Sequence, residues 1–218
     1  MLKVVNLSRE FKRNGKKFLA VDGADFQVHE GEMAAVIGQS GSGKSTLFHM
    51  ISGMIRPTEG EIFIQGKDVV KMTDAEITRL RGTDVGYIMQ GQNLLQNLTV
   101  LENIYLPSSM NKNDTNIDVG KLLETFGLSH LADEYPENLS GGEQRRVSVA
   151  RSFVQNPMLV IADEPTSNLD PENAKIIMEF FKQIAEKGTT VLVSTHNMDF
   201  VNYADRCFEM RQGHLAER

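Results

Sequence analysis

Residues 38–46 read GQSGSGKST and match the spacing G-x-x-x-x-G-K-[ST]. Gly38, Gly41 and Gly43 free the main chain to wrap a polyphosphate with its N–H groups, and a helix beginning there adds favourable dipole charge. Lys44 can neutralise β- and γ-phosphates, and the Ser45 hydroxyl can ligate Mg2+. A flexible glycine–serine loop would use the same residue types, but the flanks argue for the phosphate cradle. A buried-looking strand, MAAVI at 33–37, precedes the run, and a helical pattern with Leu47, Ile51 and Met54 on one face follows it. A nucleoside triphosphate is therefore expected here, held through Gly38, Ser40, Gly41, Ser42, Gly43, Lys44, Ser45 and Thr46.

MLVIADEP at 158–165 ends an apolar strand on two adjacent carboxylates. Asp163 would hold the magnesium, directly or through water, and Glu164, turned elsewhere, is placed to orient or deprotonate an attacking water. Alone, the pair reads equally well as an acidic turn closed by Pro165; beside a phosphate loop the chemical reading prevails. TVLVSTH at 190–196 ends a further strand on His196, where a contact to the γ-phosphate competes with a purely structural role. Gln90, closing GYIMQ at 86–90, has an amide that can ligate Mg2+ or hydrogen-bond water, although most glutamines do neither.

The elements that must position these groups are legible in outline. MAAVI, MLVIA and TVLVS (33–37, 158–162 and 190–194) are apolar without alternation, as strands covered on both faces are, and helical patterns lie between them. A mostly parallel, helix-flanked sheet is expected, an α/β class. Shorter β-patterned runs, Lys3–Leu7, Phe18–Val21, Phe26–Val28 and Glu61–Gln65, suggest a separate N-terminal β subdomain. Residues 92–150 read as an inserted, mostly helical lobe. In it Thr99 and Glu102 form a capping box for a short helix expected to stop at Pro107, Ser108–Asn116 is a polar loop, and Asp118–Phe126 is helical with Leu122, Leu123 and Phe126 inward.

Composition bounds the rest. The 218 residues suit one domain with an inserted lobe, and the net charge of -6 does not suggest nucleic acid as a partner. The single cysteine, Cys207, suits a reducing compartment. No apolar run approaches the roughly 20 residues of a membrane span, and MLKVVNLSREFKRNGKK lacks the apolar stretch of a secretory signal. Lys12–Lys17 reads as a solvated basic loop more readily than as a contact to lipid headgroups.

LSGGEQ at 139–144 poses a separate question. Ser140 and Glu143 have capping-box spacing, yet two glycines fill the first turn, costing roughly 1 kcal/mol each against alanine. Such a start presents a hydroxyl and uncovered N–H groups at a positive helix end. Taken in order, GQSGSGKST, Gln90, LSGGEQ, VIADEP, SNLD at 167–170 and His196 resemble the ATP-binding-cassette ATPases along essentially the whole chain. ENLSGGEQRR, DEPTSNLD and LLQNLTVLENIYLP are most similar to the branch serving lipoprotein-releasing, macrolide-export and antimicrobial-peptide-resistance transporters.

That resemblance implies a P-loop NTPase core, with an antiparallel β subdomain before it and a helical subdomain at about 92–150. It implies ATP and Mg2+ as ligands, Mg2+ being held by Ser45, Gln90 and Asp163, with Glu164, His196 and Gln90 as catalytic groups. It also implies a head-to-tail homodimer, in which Ser140, Gly141, Gly142 and Glu143 close over the neighbour's ATP and Ser167, Asn168, Leu169 and Asp170 cross the interface. Phe11 would stack on adenine. Asp170 doubles as the N-cap of a helix beginning at Pro171, packing through Ala174, Ile177, Met178, Phe181 and Ile184, and stopping at Gly188. Three positions depart from the family's usual residues: Ser167 stands for a common glycine, Gln92 for a common phenylalanine and Phe11 for a common tyrosine. The function implied is hydrolysis coupled to a separately encoded membrane permease, for export or extraction of peptide, lipoprotein or drug, with the ATPase peripheral on the inner face of the cell membrane. The alternative is a cassette outside transport, a nucleotide-gated clamp or a cell-division-type membrane signalling module.

Overall fold

The structure, a computed structural model, describes residues 1–91, 93–110 and 118–218. Gln92 and most of the polar loop expected at 108–116 lie outside the described residues. The chain opens with two long strands, β1 (Leu2–Arg13) and β2 (Lys16–Val28), paired antiparallel. Three separate short runs were expected there. Register shifts between Val4 and Arg9 absorb the intervening polar residues as irregularities, so the strands continue through them.

β3 (Met33–Ile37) starts the second sheet, and β4 (Glu59–Ile64) returns to pair with β1, with β5 (Lys67–Asp68) at its outer edge. The expected extension of β4 through Gln65 is not made, because Gln65 turns with a φ of 50°. The first sheet therefore has the order β2-β1-β4-β5, antiparallel throughout. The remaining strands are β6 (Val85–Ile88), β7 (Leu159–Ala162), β8 (Thr190–Thr195), β9 (Arg206–Arg211) and β10 (His214–Glu217). They join β3 in the order β10-β9-β3-β8-β7-β6, parallel except for β10.

Both faces of this second sheet are covered. Met33, Val160, Ala162, Val191 and Val193 face one apolar cluster, while Ala34, Val36, Leu159, Ile161 and Leu192 face the other. The alternation follows from the two-residue period of a strand, and it explains the unbroken apolar runs. One cluster is completed by the first sheet and α1 (Lys44–Ile51), with Val69 and Leu80, the latter on α2 (Asp74–Thr83). The other is completed by α3 (Val100–Met110), α4 (Val119–Thr125), α5 (Gly141–Phe153) and α6 (Pro171–Glu186); α7 (Met198–Val201) adds Phe200 at its margin.

α6 follows its sequence closely. Asp170 caps it, Pro171 opens it, and Ala174, Ile177, Met178, Phe181 and Ile184 are buried together with Phe180 and Ala185. Each large apolar side chain buried there contributes about 1.5–3 kcal/mol. Two expectations need correction. α3 runs past Pro107 to Met110, because a proline in the last turn forfeits only one N–H bond, and the Ser109 hydroxyl donates to the Leu106 carbonyl at 2.8 Å. Met54 is not on the face of α1: that helix stops at Ile51, and Met54 is left exposed beyond the turn at Ser52 and Gly53.

Candidate functional site

Because β3, β8, β7 and β6 are neighbours and parallel, their C-terminal ends open on one edge of the sheet, about 4.8 Å apart from strand to strand. β3 leads into the phosphate loop, β8 into His196, β7 into Asp163 and Glu164, and β6 into Gln90. The order of strands thus places four separated motifs side by side. A cleft of about 660 Å3 there is lined by Phe11, residues 40–46, Gln90, Glu164 and His196.

The loop takes its shape at Gly43. This residue has φ 115°, and a Cβ on it would lie 2.2 Å from the Ala20 carbonyl oxygen and 2.7 Å from Met210 Cε. Only glycine fits so close an approach. Lys44, 5% exposed, donates to the carbonyls of Gly38 (2.8 Å) and Gln39 (3.2 Å), and its Nζ stands 3.6 Å from Glu164 Oε1. Ser42 Oγ is buried without a hydrogen-bond partner.

Glu164 is held from every side. Its N–H donates to Ser194 Oγ at 2.8 Å, and the same hydroxyl donates to Asp163 Oδ1 at 2.6 Å. Gln90 Nε2 donates to Glu164 Oε2 at 3.1 Å, and His196 Nδ1 lies 3.8 Å from that oxygen. Its φ of 45° falls in the left-handed region, which costs a non-glycine residue of order 1 kcal/mol and persists only where neighbours over-determine it. His196 is exposed and therefore free to meet a ligand from solvent.

The structure fits a phosphate ester with a hard cation. A buried ammonium whose only ion-pair carboxylate among the described residues is 3.6 Å away calls for an anion, and an unpaired hydroxyl in the cradle offers it a donor. Ser45, Gln90 and Asp163 are all oxygen donors, the class that Mg2+ prefers. At the base end, Phe11 stands 6.0 Å from Phe18, and Arg9 lies over the Phe11 ring at 4.8 Å. Phe18, Leu19 and Ala20 from β2 and Gln212 and Gly213 from the β9–β10 turn also line this cleft. Their sequence context singled out none of them, because strand pairing brings Phe18 to Phe11 and the fold brings the β9–β10 turn to the same cleft.

Ser140, Gly141, Gly142 and Glu143 do not line this cleft. They form the first turn of α5, with the capping box complete: Ser140 N–H and Oγ both donate to Glu143 Oε2 at 2.7 Å, and Glu143 N–H donates to Ser140 Oγ at 3.3 Å. Those bonds hold the Glu143 carboxyl below the ordinary glutamate range. Gly142 has a second reason to be bare: a Cβ there would lie 2.7 Å from the Asn173 side chain of α6. Asn173 in turn bonds Asp170, backbone N–H to Oδ1 at 2.9 Å, which holds the Asp170 carboxyl low. Ser167, Asn168 and Leu169 line surface grooves on both sides, one with Gly91 and Gly141 and the other with His196. The Ser167 hydroxyl donates to the Glu164 carbonyl at 3.0 Å.

Arg145 is the buried group beside the site that sequence reasoning passed over. It is 6% exposed and sends its guanidinium to the carbonyls of Met89, Gly91, Asp163, Glu164 and Pro165. Burial pulls its pKa down to about 10, with Asp163 opposing the shift. QRR offered two adjacent arginines, and only the turn of α5 decides which faces inward.

The family model described as ABC transporter matches residues 21–167. Over its whole length the chain is 36% identical to the macrolide export ATP-binding/permease protein MacB of Chlorobaculum tepidum, of which it covers 34%. It is also 36% identical, over 99% of its length, to an uncharacterized ABC transporter ATP-binding protein of Thermotoga maritima, of which it covers 93%. The chain thus spans about a third of the first relative and nearly all of the second. Two solved dimeric structures of the cassette MJ0796 are similar to it at 32% identity, covering 100% of this chain and 98% of theirs. One is a post-hydrolysis state bound to ADP and Pi, at a TM-score of 0.92; the other, described as a bacterial ABC transporter cassette, scores 0.93.

Proposed function

The chain belongs to the ABC transporter family, as one of its ATPase domains, and on that premise we propose that two copies pack head to tail and hydrolyse ATP at their interface to drive a separately encoded membrane permease. The carrying observation is the separation of two half-sites on one chain. Lys44, Gln90, Glu164 and His196 share one cleft, whereas the bare helix start at Ser140–Glu143 opens elsewhere and lacks a phosphate cradle of its own. A second copy supplies what each half lacks. In this reading residues 92–150 are a helical subdomain within a single ATPase domain, and Ser167–Asp170 lies along the interface.

The roles follow from the geometry. Main-chain N–H groups of 38–46 and the Lys44 ammonium bind the phosphates, and Phe11 supports the base. Mg2+, held by Ser45, Gln90 and Asp163, would neutralise charge on the phosphate oxygens. Glu164, bonded by Gln90 and beside His196, accepts the proton of the attacking water. His196 then steadies the γ-phosphate. Ser140 and the N–H groups of Gly141 and Gly142 meet the same phosphate from the neighbouring chain.

No helix among the described residues is long and apolar enough to cross a membrane; in this reading the chain lies peripherally on the inner face of the cell membrane through the permease. The relative named as an ABC transporter ATP-binding protein supports a permease on another chain, and the macrolide-export relative supports export or extraction. Glu164→Gln tests the core of the reading. It keeps the shape of the side chain and removes the base, so it is expected to bind ATP, turn over at least ~100-fold more slowly, and accumulate as an ATP-bound dimer on size exclusion. Native turnover by that variant would overturn the assignment of Glu164.

A further inference from the structure

Arg145 is buried, cationic and without a carboxylate partner at ion-pair distance among the described residues, an arrangement that needs a reason because an unpaired buried charge is costly. Its bonds supply one. Nη1 donates to the carbonyls of Met89 (2.5 Å) and Gly91 (3.0 Å), the residues on either side of Gln90. Nε donates to Pro165 (2.7 Å), and Nη2 to Glu164 (3.1 Å) and, longer, to Asp163 (3.4 Å), which together bracket Glu164. One planar fork therefore grips both loops that carry the catalytic pair. The Gln90 to Glu164 bond at 3.1 Å is made across the gap it spans.

We infer that Arg145 is a positioning residue that sets the register of Gln90 and Glu164, and that it carries the motion of α5 to them. The inference rests on the catalytic roles proposed above for those two residues. Three observations converge on it. Glu164 holds a left-handed φ of 45°, and its carbonyl accepts from Arg145 Nη2 and from Ser167 Oγ, so the strained main chain is pinned at that oxygen. Arg145 belongs to α5, the helix that starts at Ser140, so a displacement of that start reaches Glu164 through a single side chain. The same face of α5 continues the grip on the Gln90 loop: Ser148 Oγ donates to Asn93 Oδ1 at 2.9 Å, and Arg151 Nη2 donates to Asn93 Oδ1 at 2.8 Å and to its carbonyl at 3.1 Å. The loop after Gln90 is thus bound to α5 along two turns, and Arg145 is where that unit meets β7.

Geometry makes the role specific to arginine. Five donors in a rigid plane can reach five carbonyls of two loops; the three donors of a lysine ammonium radiate from one atom and cannot span them. Arg145→Lys keeps the charge and much of the volume, and is the informative variant. With wild type and Glu164→Gln measured alongside, Arg145→Lys is expected to bind ATP with a Kd within about 2-fold of wild type while kcat falls on the order of 10- to 100-fold, the loss that follows a displacement near 1 Å at a reacting group. Hydrogen exchange should rise together in the segments 88–91 and 163–167 and stay unchanged over the phosphate loop 38–46. Hydrolysis by wild type but not by Glu164→Gln upholds the catalytic assignment on which the inference rests, and its failure there is read separately. Given that, a native kcat in Arg145→Lys, a parallel loss of ATP binding, or exchange rising in only one of the two segments would overturn the role of Arg145.

Discussion

At the scale of single residues, Ser194 shows how a strand delivers chemistry without touching the ligand. It is fully buried on β8, and its hydroxyl joins two neighbouring groups just beyond the end of β7 by donating to Asp163 Oδ1 and accepting from Glu164 N–H. Replacing it by alanine leaves a buried N–H and a buried carboxylate oxygen each short of a partner, at about 1–3 kcal/mol per group. Ser194→Ala is expected to lower the unfolding free energy measured in urea by about 2–6 kcal/mol for the two groups together, and to slow hydrolysis while the phosphate loop still binds ATP; an unfolding free energy unchanged to within about 0.5 kcal/mol would show that the bridge is dispensable. The serine stood in plain view in TVLVSTH, yet nothing local distinguishes a hydroxyl that links two strands from one that caps a turn. Groups at the ends of motifs, such as Lys44, Asp163, Glu164 and His196, were legible because their own neighbours define their placement. Ser194, Arg145 and Phe18 act through residues 18 to 56 positions away or across a strand pair, and pairings of that kind are decided by the fold.

At the scale of elements, the start of α5 answers to two demands at once. Its capping box is satisfied within the chain, with the Glu143 carboxylate on Ser140, while Gly142 must stay bare to admit Asn173 from α6. Gly142 therefore serves helix packing as well as the contact proposed to the neighbour's nucleotide, and the local sequence could show only the cap. The Glu143 carboxyl is held low chiefly by its bonds to the Ser140 side chain and N–H. A depressed carboxyl contributes stability that is complete above the ordinary glutamate value and is lost as pH falls through the lowered one. Glu143→Gln is expected to be about 0.3–1 kcal/mol less stable than wild type near neutrality, the worth of a carboxylate at a helix N-terminus. That difference should close as the pH is taken down through the acid range, and thermal melts of both proteins across that range measure it. A gap that persists unchanged below the glutamate range would mean that the charge is not what holds the turn. The lesson of α3 is complementary: the capping box at Thr99 and Glu102 forms as its spacing required, whereas the stop expected at Pro107 does not, since one missing N–H near a helix end is a small loss against packing.

For the molecule as a whole, the decisive question is whether the phosphate loop and the Ser140 turn of one chain serve one nucleotide or two. The parallel order β3-β8-β7-β6 gathers the phosphate loop, Gln90, Glu164 and His196 at one edge and leaves the start of α5 outside it, so in the proposed function the chain carries two incomplete sites. In a two-fold pair each complete site combines the phosphate loop of one copy with the helix start of the other. Two separately disabled chains should then repair each other. Lys44→Ala removes phosphate binding. Gly141→Asp sets a carboxylate against the neighbour's phosphate, and it does so at the first helical position of α5, where an acidic side chain favours the helix, so folding is spared. Each variant alone is expected to be inactive. Mixed in equal amounts, half of the pairs contain one chain of each kind and one undamaged site, so turnover should return to at most roughly a quarter of the native rate. Placing both substitutions on one chain and mixing it with native protein gives the control, because every mixed pair then has each of its two sites damaged once. Activity in the first mixture but not from the mixed pairs of the second is the signature of head-to-tail assembly; a first mixture that remains dead would return the Ser140 turn to a structural role within its own chain.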